Sequence, residues 1–463
     1  MRRTFSIHIV NAIKTCSVFA VLCAIATTVV AADWQAGLAK AVITPDNPTW
    51  MAGYASRNRP ADGTINDLYA KALSLRSANG ETFVLVTMDL ISIPFPLRHF
   101  LEDHVHQQHS LPASALMLNC SHTHCGPEIR TSRWALDGLE PNRLKLAEQY
   151  VASLKKKLTT TIDLALERLE PSKLVYVRSR CGFGMNRRTP SNGGFRNFPN
   201  PDGPVDHDVP VLKIEDPDGK TKGIVFGYAC HNTTLGIYQF CGDYAGFAQQ
   251  YLEETHKDAI AMFVLGCGAD INPYPRGTVE LAQTHGKSLA TAVEAALQTT
   301  PLVLKPHLDH KYGKALLEYS TAPTKAELIE RSESSNQYIA AHGKRLLKQL
   351  EQDGQLRTNY EAPVQVIKLG NALTLIALPG ETCVDYSLRL KAELSDETSR
   401  GRIWVAGYSN DVFAYIPSRR VLLEGGYEAG DSMKYFTTVL QHGPFAPNVE
   451  ERLIYQVHRL LDE

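Results

Sequence analysis

The chain has 463 residues, of which 44% are hydrophobic and 21% are charged. Its 48 lysine and arginine residues nearly balance its 49 aspartate and glutamate residues, giving a formal net charge of −1. This balance excludes the strongly basic surface typical of nucleic-acid-binding proteins, so we expect no nucleic-acid partner. A chain of this length has ample residues for a large hydrophobic core.

The first 32 residues have the pattern of a secretory signal peptide. Basic residues at positions 2, 3 and 14 precede an uncharged, largely apolar run at 17–30, and two alanines follow at 31 and 32. This order predicts cleavage and export to the periplasm or the exterior, with an uncleaved signal anchor as the alternative. Residues 33–463 contain no other apolar run long enough to span a bilayer. We therefore expect any membrane contact to be peripheral.

Seven cysteines lie beyond residue 32, and an odd number leaves at least one thiol unpaired. Their spacings match no disulfide scaffold or zinc ribbon, and most of them lie in or beside apolar runs. We interpret them as buried, reduced cysteines.

Short β-rich runs alternate with segments of helical periodicity, which predicts an α/β fold with a mixed β-sheet core flanked by helices. The predicted strands cover residues 82–88, 114–120, 224–230, 261–265, 373–378 and 402–406. The predicted helices cover residues 142–165, 246–256, 279–298 and 449–461, and residues 324–352 predict a long amphipathic helix or a helical pair. Residues 181–208 are rich in glycine, proline and asparagine, which predicts a long loop.

Reactive residues follow five of the predicted strands. The motifs are N-C-S-H-T-H-C-G-P at 119–127, Y-A-C-H-N-T-T at 228–234, G-C-G-A-D-I-N-P at 266–273, L-P-G-E-T at 378–382 and G-Y-S-N-D-V-F-A-Y at 407–415. In α/β sheets, ligands bind beyond the carboxyl ends of strands, where the loops converge. We therefore expect one active site at the carboxyl ends of these strands.

The first motif contains a pair of histidines suited to metal binding. His122 and His124 are two residues apart, so in an extended segment their side chains project to the same side. With His231, Glu381 or Tyr415 added from other strands, the donors suffice for a tetrahedral zinc ion at about 2.0–2.2 Å. A structural histidine with satisfied hydrogen bonds is the alternative for either residue of the pair.

Together the motifs resemble those of the neutral/alkaline non-lysosomal ceramidase family. S-H-T-H-C-G-P resembles the family's T-H-T-H-S-G-P, Y-A-C-H-N-T-T resembles its histidine–glycine–threonine–serine strand end, and L-P-G-E-T resembles its P-G-E-x-T. G-Y-S-N-D-x-x-x-Y completes the set in the same order. The resemblance extends from residue 37 to about residue 430 and implies one ceramidase-like catalytic domain in residues 33–463.

The resemblance also implies a ligand set for one zinc ion per chain. The implied ligands are His122, His231, Glu381 and Tyr415, and His124 is implied beside the metal as a substrate or oxyanion contact.

Two further catalytic residues follow from the resemblance. Tyr427 lies 427 − 415 = 12 positions after Tyr415 and matches the family's active-site tyrosine. M-N-R-R-T-P resembles the family's asparagine–arginine–serine–proline loop, which makes Arg187 the counterpart of its active-site arginine. The alternatives are a half-buried aromatic residue for Tyr427 and a solvated loop charge for Arg187.

The chain departs from the family pattern at the nucleophile. The family uses the serine of a G-D-V-S-P motif, whereas A-D-I-N-P places Asn272 at that position. An amide cannot be the nucleophile, so either water activated by zinc attacks directly or the amide positions substrate or an oxyanion. Asp270 remains in place, as an orienting residue or as the opening of a turn.

A second departure concerns the substrate. We expect no counterpart here of the β-sandwich domain that the family usually carries after the catalytic domain, and Leu422 stands where the family has a tyrosine. Both differences leave open whether the substrate is a lipid.

Three hypotheses follow. The first is a zinc-dependent amidohydrolase that acts on ceramide or another N-acyl compound, with zinc polarising the scissile carbonyl and activating water while His124 and Tyr427 stabilise the oxyanion. The second is an exported zinc hydrolase of the same fold that acts on another ester, amide or sugar-linked substrate. The third is an inactive metal-binding homologue. The expected partner is a small-molecule or lipid substrate, and no protein partner is evident.

Overall fold

The structure, a computed structural model, describes residues 34–132, 141–395 and 402–463 in addition to Met1. Its mixed β-sheets flanked by helices confirm the predicted α/β fold class. The predicted signal peptide at residues 1–32 lies outside the described residues except for Met1. The division of the chain into this segment and one catalytic domain stays a prediction.

All six predicted strands are present, and their ends differ from the predicted ones by at most three residues. The strands of the described ranges are β1 (Trp34–Val42), β2 (Gly63–Thr64), β3 (Tyr69–Arg76), β4 (Thr82–Met88), β5 (Leu116–Cys120), β6 (Glu170–Arg180), β7 (Gly184–Ser191), β8 (Gly194–Asn200), β9 (Asp208–Glu215), β10 (Thr221–Tyr228), β11 (Gln239–Phe240), β12 (Ile260–Leu265), β13 (Ile271–Pro273), β14 (Leu302–Val303), β15 (Leu308–Glu318), β16 (Asn359–Leu369), β17 (Leu373–Ala377), β18 (Glu381–Thr382), β19 (Ile403–Ala406) and β20 (Tyr415–Ile416).

The predicted helices are also present. The helices of the described ranges are α1 (Phe95–His109), α2 (Pro141–Glu167), α3 (Asp243–Thr255), α4 (Val279–Leu297), α5 (Lys325–Ser332), α6 (Gln337–Asp353), α7 (Val384–Leu394), α8 (Arg419–Glu424) and α9 (Val449–Asp462). The segment at 324–352 is a helical pair. Thr324 and Glu327 form a capping box at the start of α5, and the Asn336 side chain caps α6.

Nine strands form one large sheet in the order β12-β10-β9-β6-β1-β3-β4-β5, with β14 paired to β6. The outermost pairs are parallel, and the pairs between them are antiparallel. The end strands β5 and β12 meet through the buried side chain of Asn119, which accepts from the Leu265 N–H at 2.8 Å and donates to the Leu265 carbonyl at 3.3 Å. The loops that follow β5 and β12 therefore emerge side by side.

A second sheet, in the order β15-β16-β17-β19, packs against the large one. The alternation along β4 shows why the chain forms layers. Phe83 and Leu85 belong to the core between the sheets, whereas Val84 and Val86 face the core beneath helices α1–α4. Helices α7 and α9 cover the outer face of the smaller sheet. Each such buried side chain contributes about 1.5–3 kcal/mol to the free energy of unfolding.

The prediction of a long loop over residues 181–208 is wrong. Strands β7 and β8 form an antiparallel hairpin whose last pair joins Ser191 to Gly194, so Asn192 and Gly193 form a two-residue turn. Gly193 has φ +90°, a conformation that glycine adopts easily in such turns. The other edge of β7 pairs with β13, which brings the hairpin to the motif at 266–273.

All seven cysteines of the described residues are buried and free, which confirms their interpretation as reduced thiols. They contribute to the core as small apolar side chains. Among the described residues, no helix combines the length and the apolar character that crossing a bilayer requires.

Candidate active site

The loops that follow β5, β10, β17 and β19 converge, and they bring together all the predicted metal ligands. His122 and His124 follow β5, His231 follows β10, Glu381 follows β17 and Tyr415 follows β19. Ring centroids of His122 and His231 are 4.8 Å apart, and those of His122 and His124 are 4.9 Å apart. Residues separated by up to two thirds of the chain thus share one buried site.

Backbone carbonyls orient two of the histidines. The Nδ1 atom of His122 donates to the Ile91 carbonyl at 2.5 Å, and that of His231 donates to the Gly268 carbonyl at 2.6 Å. In a neutral imidazole this places the proton on Nδ1 and leaves the Nε2 lone pair free. Both free Nε2 atoms point toward Glu381, since each lies 3.3 Å from its Oε2 atom.

A short parallel ladder sets Glu381 beside Tyr415. The two residues are directly paired between β18 and β20. The Tyr415 hydroxyl lies 3.3 Å from the Nε2 atom of His231, the same atom that faces Glu381. Two imidazole nitrogens, one carboxylate oxygen and one phenol oxygen therefore converge on one point.

The protonation states suit metal binding. Burial, with a further contribution from Arg187, lowers the pKa of His231 to about 4, so its imidazole is neutral near pH 7. Burial alone raises the pKa of a carboxyl group, but His122 and His231 hold the pKa of Glu381 well below its usual value. Neutral imidazole and ionised carboxylate are the forms that coordinate a cation.

His124 lies at the edge of this group. Its Nε2 atom is 3.1 Å from that of His122, and its ring packs 4.8 Å from the ring of Tyr54. Burial, followed by the neighbouring imidazoles of His122 and His231, holds the pKa of His124 well below its usual value. Its buried Nδ1 atom has no hydrogen-bond partner among the described residues. This atom lies against Gly53, where an added Cβ atom would approach it to 2.6 Å.

Arg187 is buried in β7 beside the predicted ligands, which excludes a solvated loop charge. It donates from Nε to Glu428 at 2.8 Å, from Nη2 to the Tyr415 hydroxyl at 3.2 Å and from Nη1 to the Asn272 Oδ1 atom at 3.3 Å. Burial lowers the pKa of a guanidinium, but Tyr415 and Glu428 hold the pKa of Arg187 well above its usual value. Arg187 therefore remains charged.

Glu428 holds two buried arginines at once. One oxygen accepts from Arg187 and the other accepts from Arg188, whose Nη2 atom also contacts Glu424 at 3.1 Å. The side chains of Glu428, Arg187 and Arg188 are 3%, 5% and 2% exposed. A charge cluster this deeply buried is sensitive to the loss of any one member.

Asn272 lies on β13, with its amide fixed at both ends. The amide oxygen accepts from Arg187 at 3.3 Å and from the Thr233 hydroxyl at 3.4 Å, while the amide nitrogen donates to Asn197 at 3.2 Å. The side chain is fully buried. Asn272 therefore contacts Arg187 in a fixed orientation.

Asp270 ties the site loops together. One of its oxygens accepts from the Val384 N–H at 2.8 Å and the other accepts from the Asn186 amide at 3.2 Å. Burial, with Asp385 nearby, raises its pKa to about 6. Asp270 thus contacts both β7 and the start of α7. These contacts are those expected of a residue that orients neighbouring segments.

An open cleft of about 240 Å³ leads from the surface to the predicted ligands. Tyr427 stands in its wall, 36% exposed, with its ring 5.3 Å from that of Tyr415. Burial of the hydroxyl raises the pKa of Tyr427, so the phenol stays protonated and is able to donate a hydrogen bond. The cleft is lined by Gly53, Tyr54, Ala55, Ile91, His122, His124, Arg130, Glu381, Tyr415, Tyr427, Tyr435 and Phe436.

The site's donors fit a zinc ion. The three histidines His122, His124 and His231 have ligand atoms within 4.8 Å of one another. Nitrogen and oxygen donors, with histidines held from behind by backbone carbonyls, are the usual surroundings of a catalytic zinc. The open cleft leaves access for a substrate.

Sequence reasoning missed Tyr408, which lies inside the G-Y-S-N-D motif. Its hydroxyl is 3.4 Å from both Glu381 Oε2 and His231 Nδ1, and its ring packs 4.6 Å from that of His122. Both Tyr408 and His122 have positive φ angles, +49° and +56°. Such backbone strain in residues other than glycine is typical of functional sites.

A sequence profile described as neutral/alkaline non-lysosomal ceramidase, N-terminal, matches residues 34–289, more than half of the chain. A crystal structure of neutral ceramidase from Pseudomonas aeruginosa superposes with a TM-score of 0.70 and 18% identity, covering 92% of this chain and 73% of that one. A structure described as a ceramidase complexed with C2 gives a TM-score of 0.69 and 18% identity, covering 92% and 76%. At this identity the likeness shows the fold. No curated protein matches the chain.

Proposed function

Because this chain belongs to the neutral/alkaline non-lysosomal ceramidase family, we propose that it is a zinc-dependent amidohydrolase that cleaves the N-acyl amide bond of ceramide or a related compound. The observation that carries the proposal is the convergence of two histidine Nε2 atoms, a Glu381 oxygen and the Tyr415 hydroxyl beside an open cleft. We propose His122 and His231 as the nitrogen ligands of one zinc ion.

When bound, zinc supplies a Lewis acid for the scissile carbonyl and lowers the pKa of water. The residues of the chain set the protonation states and the positions of the groups around it. Glu381 enters as a carboxylate and His231 as a neutral imidazole. Arg187 donates to the Tyr415 hydroxyl and holds it in place. Asn272 has no nucleophilic atom, and its amide oxygen is held by Arg187, so we propose that it positions neighbouring groups while water attacks.

We propose that His124 and Tyr427 contact the carbonyl oxygen as it gains negative charge. Both line the cleft: Tyr427 supplies its protonated hydroxyl, and His124 supplies the N–H of its Nε2 atom, which lies 3.1 Å from the His122 Nε2 atom. Donors placed where charge develops lower the activation free energy, and each such donor contributes about 3–4 kcal/mol.

The lining of the cleft favours a second candidate, the hydrolysis of a smaller and more polar amide, ester or sugar-linked substrate. Apolar side chains contribute only Ala55, Ile91 and Phe436 to its wall, while most of the remainder is tyrosine, histidine and charged groups. Arg130 in that wall forms an ion pair with the buried carboxylate of Glu128. A long acyl chain requires a more apolar surface than this.

Substrate profiling separates the two candidates. The purified chain is given labelled long-chain ceramide, short-chain ceramide, and small N-acetylated and O-acetylated sugars, each with and without a zinc chelator. Release of fatty acid from long-chain ceramide, lost on chelation, supports the first candidate. Chelator-sensitive release of acetate alone supports the second. No release from any substrate at full zinc occupancy would contradict both.

Tyr427→Phe tests the assigned oxyanion contact. We expect kcat to fall about 100- to 1000-fold, because one hydrogen-bond donor to the developing charge is lost, with zinc content unchanged. Tyr435→Phe is the matched control, since Tyr435 lines the same cleft and loses the same atom. Equal kcat for the two variants would remove Tyr427 from the mechanism.

Gly53→Ala tests the position of His124. A Cβ atom at residue 53 would lie 2.6 Å from the His124 ring, and φ at this residue is +100°. We expect kcat/KM to fall about 10–100-fold, because the imidazole must shift. Gly80→Ala is the control, because residue 80 has φ +86° and nothing within 4 Å of the added atom. Equal activity of the two variants would show that His124 tolerates displacement.

We also propose that the protein is exported, on the pattern of residues 1–32. Its proposed partner is a small-molecule or lipid substrate, with at most peripheral membrane contact and no nucleic acid. N-terminal sequencing of the mature protein tests export, and a start at residue 33 is the expected result.

A further inference from the structure

A second group of potential metal ligands lies in the outer helix layer. His104 and His109 are near the end of α1, and Asp163 is on α2. The Nε2 atoms of both histidines lie 2.7 Å from the same oxygen, Oδ1 of Asp163. Their rings are 6.0 Å apart and nearly perpendicular. These contacts tie the two helices together at one point.

The group is accessible from solvent and is separate from the candidate active site. The side chains of His104, His109 and Asp163 are 17%, 24% and 33% exposed. None of the three lines the catalytic cleft. An ion therefore reaches this group without passing through the site described above.

We propose that His104, His109 and Asp163 form a second binding site for a divalent cation of the zinc type. Their ligand atoms lie within 4.8 Å of one another. In a tetrahedral zinc site with bonds of about 2.1 Å, ligand atoms are about 3.4 Å apart. The present 2.7 Å separations therefore need to open by less than about 1 Å. Side-chain rotation alone supplies a movement of this size.

The donor set determines the class of ion. Two imidazoles and one carboxylate suit zinc and its first-row neighbours, whereas calcium and magnesium prefer oxygen ligands alone. The Asp163 carboxylate can only accept, so in the metal-free group each Nε2 atom carries a proton. Binding displaces this proton and leaves each neutral imidazole protonated on Nδ1, with its Nε2 lone pair facing the ion. Three protein ligands leave a position for water, which makes the site exchangeable.

The consequence of binding is structural. Helices α1 and α2 both cover the large sheet, and their apolar faces share one core. An ion bridging them adds bonds that exist only in the folded chain, and therefore raises the free energy of unfolding. This inference does not rest on the proposed function.

Calorimetric titration of the metal-free full-length chain with Zn²⁺ tests the site. We expect His109→Gln to bind one ion fewer than the parent, and Asp163→Asn to do the same. His99→Gln is the control, because His99 lies on the same helix with its side chain 61% exposed and outside the group. It is expected to bind as the parent does.

Ion binding at the candidate active site is measured separately, with a variant of that site. His122→Ala removes a proposed ligand of that site and leaves the group on α1 and α2 intact, so loss of an ion there reports only on the proposed function. If the parent and both His109→Gln and Asp163→Asn, folded by circular dichroism, bind the same number of ions, the group is a hydrogen-bonded cluster and the proposal is overturned.

Discussion

Replacing His122 with alanine is expected to lower kcat/KM by about 1000-fold or more and to remove one zinc ion per chain. The Nε2 atom of His122 faces Glu381 at 3.3 Å and its Nδ1 atom is held by a backbone carbonyl. A 1000-fold loss corresponds to about 4 kcal/mol of activation free energy.

The matched variant is His124→Ala, which also removes an imidazole from the same strand end. If His124 contacts the substrate, its loss lowers kcat and leaves zinc bound. If it is a ligand, as its place in the three-histidine group allows, zinc is lost in both variants. Measuring zinc by mass spectrometry beside turnover therefore separates the two roles. Full activity of His122→Ala would overturn the proposed centre.

Of the substitutions described for this protein, replacing Glu428 with glutamine is expected to cause the largest decrease in the free energy of unfolding. Glu428 pairs with both Arg187 and Arg188, and all three side chains are at most 5% exposed. Removing the carboxylate leaves two buried guanidinium groups without their partner, which typically costs about 3–5 kcal/mol in the free energy of unfolding. We expect activity to fall as well, because Arg187 also donates to Tyr415 and Asn272.

Glu424→Gln is the control for this prediction. Glu424 contacts the same Arg188 but is 21% exposed, so water compensates for part of the lost interaction. We expect it to cost about 1 kcal/mol or less. Unfolding in urea, followed by circular dichroism, measures both variants. Similar losses for Glu424→Gln and Glu428→Gln would show that the buried cluster contributes little to stability.

The parts of the fold that sequence predicts well are those whose pattern is local. Strand β4 agrees with its prediction at both ends because every residue from 82 to 88 is buried and the run is bounded by polar residues and a turn. The hairpin of β7 and β8 was missed because its strands are rich in polar residues and lack the apolar alternation typical of a strand, although Asn186, Arg187 and Arg188 are buried. Its Asn192-Gly193 turn was the available signal, since this pair is typical of two-residue hairpins.

The same contrast between local patterns and long-range packing applies to the residues of the candidate site. Residues at strand ends, such as His122 and Glu381, stand out because a polar motif directly follows an apolar run. Tyr408 and Glu428 do not stand out, because their importance depends on the packing of distant segments. Glu428 meets Arg187 across 241 residues of chain, a separation that no local pattern encodes.

The Asn119 side chain, which joins β5 to β12, also donates to the Gly407 carbonyl at 2.8 Å. One residue thus connects segments 146 and 288 positions away. Contacts of such long range form late, because closing large loops is entropically unfavourable until much of the chain is in place. The centre beside Asn119 is therefore assembled near the end of folding, so a nascent or truncated chain has scattered histidines and no binding site. We therefore expect the proposed zinc ion to be acquired only by an almost fully folded molecule, in whichever compartment folding is completed.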